Sequence, residues 1–204
     1  MTERLELVNK GFLVILLGVE DVVGKRGMAA LLRQADLVQY IDHYPPSNEG
    51  YGGHQVGYMS RINHALFDIY GPRGARAILQ RVGRERWKNA VEENGALASA
   101  TKVALKFLPR RRQVKLALDI ASKAYGEQLN TSIKVGEDGE GFYWQDLSCG
   151  NCVDWQSDKP VCFTTAGFVY GLVAWATESE NHKVEEVACH ARGDAACRHH
   201  ITLL

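Results

Sequence analysis

The sequence predicts an α+β fold, with several N-terminal helices packed on a four-stranded antiparallel sheet in ββ-α-ββ order. Three observations carry this. Up to residue 129 the apolar residues recur at helical spacing, segment after segment. From residue 130 they fall into short runs separated by turn residues, the mark of strands. Between two pairs of such runs lies a strongly apolar helix, residues 162–177, CFTTAGFVYGLVAWAT.

Helix breakers place the elements. Leu5, Val8, Phe12, Ile15, Leu16, Val19 and Val22 share one helical stripe over 5–23, and Gly24 ends it. The stripe is wide and carries few charges, which suits either a core helix or a dimer helix. A second helix over 26–41 shows Met28, Leu31, Leu32, Leu37 and Ile41. Residues 42–55, DHYPPSNEGYGGHQ, read as a loop, with Tyr44 and Tyr51 available to a ligand or partner. A third helix, 57–70, stops at Gly71-Pro72, and a fourth, 73–93, contains Gly74 and Gly83, small enough for close helix contact. Residues 97–128 give one or two more helices broken near Pro109, and Arg110-Arg111-Arg112 reads as a solvated helix start. Runs 131–135 and 141–147 make a hairpin, and Val184–Leu203 makes another about Arg192-Gly193-Asp194. The expectation is one domain over 1–204, helical to 129, with the ββ-α-ββ part from 130 carrying the chemistry.

Lys plus Arg and Asp plus Glu both number 24, so the formal charge is zero. Neither a nucleic-acid binder nor a polybasic membrane binder is expected from that balance. The longest apolar run, Phe12 to Gly18, is too short to span a bilayer. Glu3 and Glu6 stand where a signal peptide would be basic and apolar, so a cytoplasmic protein is expected.

All five cysteines fall between Cys149 and Cys197. An odd number in a chain without a signal pattern argues for metal binding or buried thiols over a disulfide framework. If the last turn centres on Gly193, Cys189 and Cys197 face each other, close enough to share an ion. Glu186 reaches the same ion only if the strand is twisted or bulged, since a strict pleat puts it opposite to Cys189. His200 faces Glu186 in this register. Cys162 stands at a helix start, where the partial positive charge favours a thiolate. Cys162, Glu186, Cys189 and Cys197 make a closed tetrahedral zinc set, which is a structural one. Cys149 and Cys152 with Cys189 and Cys197 make a four-thiolate rival, and spacing alone leaves both open.

Pro160-Val161-Cys162, the helix after it, and Glu186-Val-Ala-Cys189-x3-Gly193-Asp194-x2-Cys197-Arg198 resemble the 4-vinyl reductase domain family. The resemblance is closest to the ligand-sensing domains of phenol-responsive transcription activators. It implies Cys162, Glu186, Cys189 and Cys197 as zinc ligands, and a fold shared with TRAPP tethering subunits and nitric-oxide sensors. It also implies an apolar pocket between helices and sheet, and a homodimer, for which the N-terminal helix is the candidate. No ATPase or helix-turn-helix segment follows the domain, so a complete activator of that class is not expected.

Three functions follow. The first is a module that binds a small hydrophobic or aromatic ligand and carries a structural zinc. Its pocket candidates are Phe107, Tyr125, Phe142, Trp144, Phe168 and Trp175. The second is an enzyme or accessory protein in 4-vinyl reduction of a chlorophyll precursor. That reaction needs an electron donor, and the sequence shows no dinucleotide-binding glycine pattern. The third is a dimeric scaffold. No nucleophile–base pair is recognisable, so no catalytic residue is assigned and a non-enzymatic role is favoured.

Overall fold

Two glycines break the helical half of the chain where the sequence places them. The computed structural model describes residues 6–129 and 131–204; Leu5, expected to open the first helix, lies outside them. Helix α1 runs Asn9–Gln34 and α2 runs Gly57–Glu93, each as two rods joined at one residue. Gly24 has φ 73° and Gly71 φ 68°, backbone that other residues rarely adopt. Pro72 then opens the second rod of α2, where a missing N–H costs nothing. The rod after Gly24 stops at Gln34, and a 3-10 turn, Val38–Tyr40, replaces the end expected near 41. Pro109 separates α3, Gly95–Lys106, from α4, Arg110–Leu129. The arginines that open α4 are engaged within the chain. Arg110 donates to the carbonyl oxygens of Asn181 at 2.5 Å and Leu204 at 3.0 Å, and Arg111 pairs with Glu137 at 3.1 Å.

The segment 42–55 is not all loop. β1, Glu6–Val8, pairs antiparallel with β2, Tyr51–Gln55, so the first helix also starts later than expected. YGGHQ is a poor strand sequence; polar groups hold it. The Asn9 and Lys10 N–H groups donate to the carbonyls of Gly50 at 2.8 Å and Asn48 at 3.0 Å, which satisfies two free donors at the start of α1. Behind them runs a largely buried relay. Tyr40 donates to His54 Nδ1 at 2.7 Å, His54 Nε2 donates to Asn9 Oδ1 at 2.8 Å, and Asn9 Nδ2 donates to Asn48 Oδ1 at 2.8 Å. Asn9→Leu removes one hydrogen-bond partner from each of His54 and Asn48 at once and is expected to cost about 1–3 kcal/mol. The urea midpoint reads this, and an unchanged midpoint would mean that apolar packing alone holds the segment. Of the two loop tyrosines, Tyr51 is exposed and the Tyr44 hydroxyl donates to Glu20.

The expected sheet is present. β3, Ile133–Glu137, β4, Phe142–Asp146, β5, His182–Ala188, and β6, Cys197–Leu203, are antiparallel in the order β3-β4-β6-β5. Phe142, Trp144 and Asp146 of β4 and Cys197, His199 and Ile201 of β6 are buried, alternating with more exposed neighbours. Trp144 meets Tyr125 of α4 edge-on, with ring centroids 5.4 Å apart, and Phe168 of α5, Phe163–Thr177, at 5.9 Å.

Helices α2 and α5 cross with their backbones in contact at Gly83 and Gly167. A Cβ on Gly83 would fall under 3.0 Å from the Thr164 carbonyl oxygen, and one on Gly167 equally close to that of Gln80. Gly74, the other small position of α2, meets only Tyr70 of its own helix. One buried cluster runs through both halves, from Phe12 and Leu16 of α1 through Leu66 and Leu79 of α2 to Trp144, Val169 and Ile201. Phe12 is 0% and Ile15 6% exposed, so the stripe of α1 that suggested a dimer is largely used inside the chain. No helix among the described residues is long and apolar enough to cross a membrane.

Candidate functional site

One end of the sheet gathers all five cysteines. Cys149 and Cys152 lie in the turn after β4, which includes a 3-10 turn at Gly150–Cys152. Cys162 precedes α5, Cys189 follows β5, and Cys197 opens β6. Every one is buried, 2% exposed or less.

Around a tetrahedral ion with metal–sulfur bonds of about 2.3 Å, the sulfurs stand about 3.8 Å apart. Cys152, Cys162, Cys189 and Cys197 come close to that figure. Cys152 lies 3.5 Å from Cys197 and 4.0 Å from Cys189. Cys162 lies 3.7 Å from Cys197 and 3.8 Å from Cys189, and Cys189 lies 4.0 Å from Cys197. Cys152 and Cys162 are within 4.8 Å of each other. Cys149 is 3.5 Å from Cys162 and forms a second group with Cys152, Cys162 and Cys197. Glu186 forms a third with Cys162, Cys189 and Cys197, the set implied by the resemblance, with ligand atoms within 4.8 Å. The sequence rival joined Cys149 and Cys152 to Cys189; in the structure Cys162 stands beside Cys149 instead, because the start of α5 folds back onto the turn after β4. This cluster of buried thiols can hold a metal ion, and its spacing suits a single tetrahedral one.

A bulge brings Glu186 to the cysteines. β5 pairs Glu186 with His199 and Ala188 with Arg198, so Val187 is left over. That extra residue places Glu186 and Cys189 on the same side, which a regular pleat cannot do. It also shifts the register, so His200 faces Glu185 and lies 3.1 Å from Asp138, while His199 takes the place opposite Glu186. His199 is fully buried; burial lowers its pKa to about 4, and its Nε2 donates to the Cys162 carbonyl at 3.2 Å.

Backbone and carboxylates frame the sulfurs. The His190 N–H donates to Cys197 Sγ at 3.3 Å, Glu186 Oε2 accepts from the Cys162 N–H at 2.8 Å, and Asp194 Oδ2 accepts from the Cys189 N–H at 2.8 Å. Burial, and then the neighbouring Cys189, pushes the Glu186 carboxyl up to about 9. The thiols share protons. Cys162 and Cys197 are pushed far up and Cys152 is pushed down, in each case first by contact with Cys149. A divalent cation bound there would take the place of those protons and neutralise the thiolates.

A cleft of about 310 Å³ lies between α1, α2, α4 and α5, with Arg86, Trp87, Tyr125 and Phe168 on its walls. Tyr125 and Phe168 were pocket candidates from sequence. Phe142 and Trp144 are 0% exposed, in the sheet, and Trp175 packs on Trp87 with ring centroids 5.4 Å apart. Phe107 is 84% exposed, because α3 ends just before it and its ring finds no groove; it lines no interior pocket. Arg86 escaped the sequence reading. Its signal was there, since it continues the buried spacing of Leu79, Val82 and Gly83 along α2.

The segment that builds the cysteine site, residues 148–203, matches the model of the V4R domain, the family the sequence resembles. Among solved structures the chain is similar to the phenol-responsive sensory domain of the transcription activator PoxR, solved with phenol. The identity is 12% and the TM-score 0.50, over 76% of this chain and 78% of that one. It is also similar to an H-NOX protein from S. oneidensis in the Fe(II)NO ligation state. There the identity is 13% and the TM-score 0.54, over 96% of this chain and 99% of that one. At these identities the likeness is one of fold. No curated protein sequence matches the chain.

Proposed function

We propose that this chain is a small-molecule-sensing module whose C-terminal end is fixed by a structural zinc ion, and that it works in the cytoplasm, where free thiols stay reduced. The observation that carries the reading is the position of Tyr125. It walls the cleft on one side and, on the other, a small void shared with Asp146, Gly150 and Asn151, next to Cys152. A ligand in the cleft therefore touches a side chain that borders the metal-bearing turn. The PoxR domain solved with phenol and the H-NOX protein solved with NO are small-ligand proteins of this fold, which supports the reading.

Cys162 and Cys197 belong to every group, and Cys152 and Cys189 complete the tetrahedron. Thiolates suit zinc better than a carboxylate when both are in reach; Glu186 Oε2 is engaged at the Cys162 N–H, while its Oε1 has no hydrogen-bond partner among the described residues. Four protein ligands leave no open position, so the ion holds structure. Elemental analysis of the purified protein tests this. About one zinc per chain is expected in the wild type and in Glu186→Gln, with zinc lost in Cys152→Ser and Cys189→Ser. Zinc kept in Cys152→Ser and lost in Glu186→Gln would make the carboxylate the fourth ligand.

A homodimer belongs to the same proposal. Because Phe12 and Ile15 are buried inside the chain, substituting them would unfold it, and sedimentation of the intact protein is the measurement.

A further inference from the structure

The cleft is lined by hydrogen-bond donors that lack acceptors. Arg86 is 3% exposed. Its Nε and Nη1 are sealed from solvent, and among the described residues the guanidinium has neither a hydrogen bond nor an ion pair. Trp87 Nε1 and the Tyr125 hydroxyl are likewise buried and unpartnered. Arginine and indole N–H groups can only donate, and burial raises the Tyr125 pKa, which keeps its hydroxyl protonated. An unpaired buried guanidinium is costly and cannot shed its proton. Its one compensating contact is the Tyr125 ring, 5.5 Å from Arg86 Cζ, a cation–π arrangement that leaves the N–H groups unmet.

We infer that the cleft between α1, α2, α4 and α5 binds an aromatic monocarboxylate, its carboxylate on Arg86 with Tyr125 and Trp87 as neighbouring donors and its ring against Phe168 and the Trp87 face. The inference rests on the small-molecule reading above and specifies the ligand class. Three features select it. The inner end offers donors and a positive charge, which call for an anionic acceptor. The walls are aromatic, with Trp87 and Phe168 in edge contact at 5.5 Å, which suits a flat ring. Among the described residues the rim carries Glu49, Glu93 and Glu127 with Lys10 as the one cation, and Lys10 is paired with Glu93 at 3.3 Å. An acidic rim disfavours a dianion such as a phosphate ester and favours a single charge carried at the buried end. A volume of about 310 Å³ stands at the small end of ligand pockets, roughly 300–1,000 Å³.

The test is calorimetric titration of the metal-loaded protein with 2-naphthoate and with its neutral isostere 2-naphthamide. The acid is expected to bind at least about ten-fold more tightly than the amide, since a charge-assisted bidentate contact is lost in the latter. In Arg86→Met that preference should vanish, and in Arg86→Lys, which keeps the charge without the fork, it should shrink. The unliganded Arg86→Met protein is expected to melt no lower than the wild type, because it removes an unpaired buried charge. Equal binding of acid and amide to the wild type would overturn the carboxylate while leaving a small-molecule cleft. Saturation by neither at millimolar concentration would overturn both. A steep loss of melting temperature in unliganded Arg86→Met would make the guanidinium a structural group and overturn the inference as well. If that variant does not fold, the comparison of acid and amide on the wild type still decides.

Discussion

Alanine at Gly83 or Gly167 is expected to destabilise the fold strongly. At both positions the new Cβ would sit under 3.0 Å from a carbonyl oxygen of the facing helix. Overpacking a core usually costs about 1–3 kcal/mol, because side chains can turn aside. Here the obstacle is backbone on both sides, so α2 and α5 must separate along their length. Those helices carry Leu79, Val82, Val169 and Leu172 into the common core, and moving them opens gaps around each. A loss of about 3 kcal/mol or more is expected for either substitution, and failure to fold for the corresponding valines. Urea unfolding measures it. Gly95→Ala is the control: nothing lies within 4 Å of a Cβ there, and helix propensity should make it neutral to stabilising by up to about 1 kcal/mol. Similar midpoints for all three alanines would mean that the helices do not meet at this crossing.

Removal of the metal is expected to have the other large effect, and a local one. The cysteines join the turn after β4, the start of α5 and both strands of the last hairpin. Without an ion, these buried thiols face each other with only shared protons between them. In zinc-finger peptides binding is worth about 10–16 kcal/mol and supplies the whole fold. Here much of the core lies elsewhere, so loss of the ion should cost a fraction of that, on the order of several kcal/mol. Cys162→Ser should reproduce the loss, since Cys162 Sγ is within 3.8 Å of three other sulfurs. Cys149→Ser should not, because Cys149 has its close contact only with Cys162 among those within 3.5 Å. Amide exchange localises the effect: protection should fall in β5, β6 and the turn after β4 and persist where α2 crosses α5. Uniform loss across the chain would contradict a local role, and no loss would remove the structural one.

How legible these features were depends on what kind of interaction sets them. Gly24, Gly71-Pro72 and Pro109 fix helix ends through backbone sterics, which a sequence displays directly. The sheet was legible for the same reason, from alternation and turns. The strand Tyr51–Gln55 was not, because it rests on Asn9, Asn48 and His54 meeting across long sequence separations. The final hairpin was half legible. Facing cysteines follow from the turn, whereas the bulge at Val187 is one uncounted residue, and it exchanges His200 for His199 opposite Glu186. The choice among Glu186, Cys149 and Cys152 as a further ligand was out of reach for spacing, since all three lie within metal-binding distance of Cys162 and Cys197. Phe107 failed as a pocket residue because aromaticity was weighed without the helix end beside it. Arg86 shows the opposite error: a charge on an apolar stripe contradicts its neighbours, and such contradictions mark places where something other than packing decides the residue.

β5 is the outer strand of its sheet, so one side of its backbone has no partner strand. An unpaired rim of that kind is a template on which other copies can stack. This one is defended by Lys183 and Glu185, paired with each other at 2.8 Å and both exposed, and by the twist at Val187. The twist is held from one end by Cys189, so a metal bound at the cysteines would stand among the defences against self-association. Chains stripped of their ion should therefore clump before they unfold, and light scattering after chelation would register the change ahead of any loss of helical signal.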